Sequence, residues 1–202
     1  MTTSANVTWQ EGVVDRAQRW DALALRGATI WFTGLPASGK STVSAAVEAQ
    51  LVREGRPAYR LDGDNLRHGV CGDLGFTAED RDRNVRRTAE VARLFADAGV
   101  VALVSVVSPY ESARQAAREL HERDGLRFVE VFVNTPLEEC MRRDPKGLYA
   151  RARAGELRGF TGVDDPYEPP LAPDVELRCD DVPAAVTRVL EALDGAAAAL
   201  GG

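Results

Sequence analysis

The stretch Gly34-Leu-Pro-Ala-Ser-Gly-Lys-Ser41, GLPASGKS, decides the reading of this chain. It fits the pattern G-x-x-x-x-G-K-[ST], and each fixed position has a physical reason. Glycines at 34 and 39 let the backbone bend so that successive N–H groups point inward at phosphate oxygens. Lys40 supplies a compact charge for the β- and γ-phosphates, where the planar fork of arginine fits poorly. The Ser41 hydroxyl can ligate Mg2+, and the helix that starts there turns its positive end toward the same phosphates. With Ala37, Ser38 and Thr42, the loop reads as a nucleoside-triphosphate site. The lysine itself stands out: of 25 basic residues, only Lys40 and Lys146 are not arginine.

Working outward, ATIWFTG (28–34) is a short apolar, β-branched run that predicts a buried strand before the loop. After it the pattern turns helical from Ser41, with Val43, Val47 and Leu51 on one face and Gly55 and Pro57 as the stop. AYRLD (58–62) predicts the next strand. Thr77 and Asp80 have capping-box spacing, with Asp in place of Glu or Gln, and open a helix whose Val85, Thr88, Ala92 and Phe95 share a face. Gly99 ends it. VVALVSVV (100–107) has the continuous apolar character of a parallel strand buried on both faces. A polar helix over 111–123, the strand FVEVFV (128–133) and a helix capped by Thr135 with Pro136 in its first turn follow. DVELRC (174–179) and a helix from near Asp181 close the pattern. Strands alternating with helices predict an α/β, three-layer P-loop NTPase fold with a mostly parallel sheet flanked by helices.

Residues 1–26 read as a polar N-terminal extension with Trp9 and Trp20 as docking points, 27–195 as the domain, and 196–202 as a frayed tail. Within the domain, 144–172 is rich in Gly, Pro, Arg and Asp and lacks a core period, which suits a mobile lid. Its basic residues with those just before it (Arg142, Arg143, Lys146, Arg151, Arg153, Arg158) read mostly as solvated charges, Arg143 being the one favoured as a contact.

The bulk numbers exclude several classes. At 202 residues the chain suits one domain with a proper core. A net charge of −6 argues against a broad nucleic-acid face. Arginines 81, 83, 86, 87 and 93 spread over several faces of one helix amid acids and read as ion-pair partners. Cys71, Cys140 and Cys179 are an odd, scattered set without a CxxC pair, which disfavours a disulfide framework or zinc site and fits a reducing compartment. Cys140 and Cys179 read as core thiols and Cys71 as exposed; His68 and His121 read as surface or structural. No signal-peptide pattern opens the chain and its longest apolar run is too short for a bilayer. The expectation is a cytoplasmic protein with neither membrane nor nucleic acid as partner. No N-K-x-D element for guanine is present, so ATP is favoured over GTP.

The second informative stretch is LDGDNLRHGV (61–70), just past the second predicted strand. Ligands of α/β sheets sit outside the carboxyl ends of strands, so Asp62 and Asp64 should face the γ-phosphate. Two acids and an arginine there suit an acceptor hydroxyl: one acid orients it or takes its proton, the rest hold Mg2+ and an acceptor phosphate. Asp-Gly-Asp-Asn is also good turn chemistry, and turn and site are compatible.

GATIWFTGLPASGKST, LDGDNLRHGV, LGFTAEDRDRNVRR, VSPY and PKGLYARARAGELRGFTGVDDPYEPP, in that order, resemble the adenylylsulfate kinase (APS kinase) family over about Asn6 to Asp181. The resemblance implies phosphorylation of the 3′-hydroxyl of adenosine 5′-phosphosulfate (APS) by ATP and Mg2+. It makes Asp64, Asn65 and Arg67 contacts to APS, with Asp64 nearest the reacting hydroxyl and Asp62 on the metal side with Ser41. Phe76 and Phe160, the latter beside Gly159, become two aromatic faces for adenine. Arg81 and Asn84 become phosphosulfate and ribose contacts. Val107 and Ser108 line the same pocket, and Ser108 joins Lys40, Asp62 and Asp64 at the reacting centre. Lys146 becomes a lid contact to substrate, so both retained lysines fall where the family sets lysine against phosphoryl or sulfo oxygens. Family members are commonly dimers, which implies a possible homodimer, and the chain length suits a stand-alone kinase without an attached sulfurylase. The loop reads LPAS where the family commonly has LSGA, a change expected to be harmless if Pro36 and Ala37 have φ near −65°. A kinase for another nucleotide-linked acceptor, or a silent nucleotide-binding module, are the rival readings; intact Lys40, Ser41, Asp62 and Asp64 weigh against the second.

Overall fold

The computed structural model describes residues 6–8, 10, 12–178 and 180–195. Trp9, Cys179 and the 196–202 tail lie outside them.

The polar N-terminal segment contains a helix that its composition hides, α1 (Arg16–Leu23). A reciprocal cap starts it: the Asp15 carboxylate accepts from the Gln18 N–H at 2.8 Å, and the Gln18 side chain accepts from the Asp15 N–H at 3.0 Å. The expected alternation follows. β1 (Ala28–Thr33), α2 (Lys40–Arg53), β2 (Ala58–Asp62), the short α3 (Gly63–Leu66), α4 (Ala78–Asp97) and β3 (Val101–Ser105) make the first half. α5 (Glu111–Arg123), β4 (Arg127–Val133), α6 (Leu137–Arg143), α7 (Leu148–Arg153), β5 (Val175–Leu177) and α8 (Val182–Gly195) make the second. The strand order is β2-β3-β1-β4-β5 and every pair is parallel.

Alternate residues of each central strand feed two cores. Ile30, Phe32, Leu103, Val129 and Val131 meet Val43, Val47 and Leu51 of α2 and Val189 and Leu193 of α8. Trp31, Ala102, Val104 and Phe128 meet Val85, Ala89 and Ala92 of α4 and Ala113 and Ala117 of α5. Each of the large side chains contributes about 1.5–3 kcal/mol by leaving water, which is why these strands read as unbroken apolar runs. Gly27 shows how close the layers come: a Cβ there would lie 1.9 Å from the Ala96 carbonyl oxygen at the end of α4.

The register brings the functional segments together. Ser105 pairs with Phe32 on one side and with Asp62 on the other, so the ends of β1, β2 and β3 lie on one edge of the sheet. The phosphate loop, the Asp62–Arg67 turn and the Val106–Tyr110 loop all leave from that edge.

Four local expectations need correction. Thr135 does not cap α6; Pro136 holds the cap position, and Thr135 Oγ1 donates instead to the Ser38 carbonyl at 2.8 Å. Cys71 is buried, not exposed, because the turn after α3 folds it inward. Residues 144–172 are not without core: α7 lies inside them, and Tyr149, Ala152 and Phe160 form a third buried cluster with Cys140. Ala37 has φ +60°, not a value near −65°. No described helix is long and apolar enough to cross a membrane.

Candidate active site

The carboxyl edge opens into a cleft of about 710 Å3 that runs from the phosphate loop to the third cluster. Its near end is built by the loop. Gly34 (φ +146°) could not be replaced, since a Cβ there would come within 2.6 Å of the Val133 carbonyl oxygen. Gly39 (φ +107°) turns the chain into α2, leaving the first N–H groups of the helix facing the cleft. Lys40 is only 8% exposed, and its Nζ donates to the Gly34 and Leu35 carbonyls at 2.9 and 2.7 Å. Burial pushes its ammonium down to about 8, partly offset by nearby negative groups including Asp62 and Asp64.

Across from Lys40, Ser41 Oγ donates to Asp62 Oδ2 at 2.9 Å. Asp62 is fixed by its own backbone role, capping α3 by accepting from the Asp64 N–H at 3.0 Å. Arg60, two residues earlier on the same strand, sets its guanidinium 3.5 Å from Asp62. Asp64 lies further out and pairs with Lys146, which reaches over from the turn between α6 and α7. Both side chains are more than half exposed.

The far end holds the aromatic residues. Phe76 is exposed, with the Arg67 guanidinium 4.3 Å over its ring. Phe160 is buried and meets Tyr149 edge-on. Arg81 connects them: its Nε donates to the Phe76 carbonyl at 3.1 Å and its Nη2 to the Gly159 carbonyl at 2.5 Å. Asn84, 7% exposed on α4, has an Nδ2 with no partner and lines the cleft, so a donor stands ready for a ligand. Val107 and Ser108 form the wall opposite. Ser108 has φ +40°, and its hydroxyl is engaged, accepting from Trp31 Nε1 at 3.1 Å and donating to Thr33 Oγ1 at 2.9 Å.

Of the anticipated residues, Ala37, Gly39, Lys40, Ser41, Thr42, Asp62, Asp64, Asn65, Arg67, Phe76, Arg81, Asn84, Val107, Ser108, Lys146 and Phe160 all line this one cleft. Gly34, Ser38 and Gly159 stand behind the lining and act through their carbonyls, Ser38 by accepting from Arg143 at 3.2 Å. His121 is a buried structural group, its ring nitrogens 2.9 Å from Thr29 Oγ1 and 2.8 Å from the Ala117 carbonyl; His68 is exposed. Sequence reading missed Arg60 and Tyr149. The period of two along β2 places Arg60 on the Asp62 side and could have found it. Tyr149, whose hydroxyl donates to the Pro36 carbonyl at 3.0 Å, carried no local signal.

A parallel sheet that ends in a phosphate cradle, faced by carboxylates and a second binding surface, places the chain in the class of P-loop phosphotransferases. The model of the adenylylsulphate kinase family matches residues 26–178. Adenylyl-sulfate kinase 3 of Arabidopsis thaliana is 50% identical over 175 residues, covering 87% of this chain and 83% of the relative. Adenylyl-sulfate kinase of Vibrio vulnificus is 51% identical over 172 residues, with 85% and 82% covered. Among solved structures, Mycobacterium tuberculosis APS kinase CysC in complex with AMPPNP and APS superposes with a TM-score of 0.82 at 51% identity, covering 84% of this chain and 99% of that one. The chain belongs to the adenylylsulphate kinase family.

Proposed function

We propose that the protein transfers the γ-phosphoryl group of ATP to the 3′-hydroxyl of APS, giving 3′-phosphoadenosine 5′-phosphosulfate (PAPS) and ADP as a step of sulfate activation. The observation that supports it is that Asp64, the phosphate loop, Phe76 and Phe160 line a single cleft. The bond from the 3′-oxygen to phosphorus forms as the bond from the γ-phosphorus to the bridging oxygen breaks, and the hydroxyl proton passes to Asp64. Such transfers depend chiefly on alignment and charge neutralisation.

Lys40 and the N–H groups of the loop hold the triphosphate. The hydroxyl of Ser41 and the carboxylate of Asp62 are hard oxygen donors of the kind Mg2+ takes alongside water and phosphate oxygens, so these two residues would hold it. When bound, Mg2+ neutralises charge on the β- and γ-phosphates. Arg60 beside Asp62 keeps that carboxylate turned to the same side. Asn65, Arg67, Arg81 and the unpartnered Asn84 amide hold ribose and phosphosulfate, and Phe76 and Phe160 take adenine. The engaged hydroxyl of Ser108 suits a shaping role in the wall with Val107, in place of proton transfer. Lys146 leaves Asp64 for the substrate oxygens when the acceptor hydroxyl arrives. The kinase domain spans 27–195 behind the 1–26 extension. The protein is cytoplasmic and a homodimer, and a monomeric mass by light scattering at micromolar concentration would contradict the dimer.

The test is ADP release with ATP and Mg2+ and a panel of APS, AMP, cytidine diphosphate and no acceptor. ADP that appears only with APS is expected. ATP binding with no APS-dependent ADP would move the protein to another acceptor or to a silent module.

A further inference from the structure

Behind the wall of the cleft lies a charge network that the transfer itself does not use. Arg114 on α5 is 1% exposed. Its Nη1 donates to the Ser108 carbonyl at 2.6 Å and its Nη2 to the Glu168 carbonyl at 2.7 Å. The same guanidinium pairs with Glu111 and lies 3.0 Å from Glu130 on β4. A buried ion network of this kind is often no better for stability than apolar residues of the same volume, so the geometry it fixes is the more informative feature. Only the planar fork of arginine reaches two carbonyls at fixed spacing.

Those two carbonyls belong to the two segments that enclose the acceptor end. Ser108, at φ +40°, is in the wall. Glu168 ends the stretch that carries Phe160, and two further bonds tie it to the wall. Its N–H donates to the Pro109 carbonyl at 2.8 Å, and its carboxylate accepts from the Glu111 N–H at 2.7 Å. A left-handed serine persists only where its surroundings over-determine it. Here Trp31 and Thr33 hold the hydroxyl while Arg114 holds the carbonyl.

We propose that Arg114 is a positioning residue for the acceptor half of the site, locking the Ser108 wall and the Glu168 end of the lid into one unit. Its side-chain hydrogen bonds and ion pairs among the described residues go to Ser108, Glu111, Glu130 and Glu168 and not to the phosphate loop or α2, so its effect should fall on the acceptor more than on ATP. The proposal rests on the reading of APS as that acceptor.

The test compares Arg114→Lys with the double variant Arg114→Met/Glu130→Met. The double variant avoids leaving Glu130 buried without its partner, and Arg118 keeps its pairing with Asp174. Both variants are expected to raise KM for APS at least about tenfold with KM for ATP within about twofold. Hydrogen exchange of amides 106–110 and 160–168 should quicken while that of 40–53 stays unchanged. A lysine variant with wild-type KM values, or KM values for APS and ATP that rise together, would overturn the proposal. Exchange needs no substrate, so unchanged rates in 106–110 and 160–168 would overturn it by themselves. Failure of the unmodified protein to use APS counts instead against the acceptor reading.

Discussion

At Asp64 the carboxylate pairs with the ammonium of Lys146, and the proposed transfer gives it the acceptor hydroxyl as a second partner. Asp64→Asn keeps shape and hydrogen bonding but cannot take the proton, so kcat should fall by about 10²–10⁴ with ATP affinity nearly intact. Unchanged kcat in steady-state assays would mean that alignment alone carries the transfer. Lys40 makes a second prediction through its burial. Its ammonium titrates near 8 in the fold against 10.5 in the open chain. The charged form that phosphate needs is therefore lost as pH rises through about 8 in the free enzyme. The value of kcat/KM for ATP should fall along that limb, and Lys40→Arg should abolish the limb while lowering activity; a profile flat to pH 10 would contradict the assignment. The same shift has a stability sign. Because the folded pKa lies below the unfolded one, charged Lys40 weakens the fold below about 8, and this penalty is relieved as pH rises from about 8 to 10.5.

At the scale of elements, the phosphate loop carries strain where its sequence departs from the family pattern. The common LSGA places glycine at position 37, and this chain holds alanine there at φ +60°. Left-handed backbone costs an alanine about 1 kcal/mol. Ala37→Gly should return roughly 0.5 kcal/mol net of the glycine's looser unfolded chain, a rise in Tm of about 1–2 °C by calorimetry. A lower Tm would mean that the Ala37 methyl, packed against the lid cluster with Leu35, outweighs the backbone strain. The same loop shows what was legible. The β1–loop–α2 unit and β3 carry their signal locally, in strand-like apolar runs and in glycines at fixed positions, and both formed where the residues placed them. The lid's cluster did not show because Tyr149 and Phe160 meet only in three dimensions, from positions with no common period. Thr135 looked like a helix cap, yet the Ser38 carbonyl won its hydroxyl through a long-range contact. α1 went unread because its charged face stays polar and its one strong signal, the Asp15–Gln18 cap, precedes no apolar stripe.

At the scale of the whole molecule, α1 is held to the domain chiefly at Asp97, with a further bond from Arg16 Nη1 to the Asp124 carbonyl at 2.5 Å. Asp97 at the end of α4 pairs with Arg16 at 2.7 Å and Arg19 at 3.3 Å, and its carbonyl accepts from Trp20 Nε1 at 3.0 Å. Each such half-exposed pair is worth only about 0–1 kcal/mol. Asp97→Ala should therefore speed tryptic cleavage after Arg16 and Arg19 severalfold while leaving kcat and the melting of the sheet almost unchanged; a changed kcat would show that α1 is coupled to the cleft. The candidate cleft was legible far beyond this appendage, since residues from Ala37 to Phe160 converge on it through the register of β1, β2 and β3.

The central claim is that this cleft directs one hydroxyl of APS at the γ-phosphate. Its most direct test is to incubate the protein with APS, ATP and Mg2+ and locate the new phosphoryl group by mass and phosphorus NMR. A single product heavier than APS by one phosphoryl group and esterified at the 3′-oxygen is the expected result. A 2′-ester, a mixture of both, or APS returned unchanged while ATP binds would contradict it.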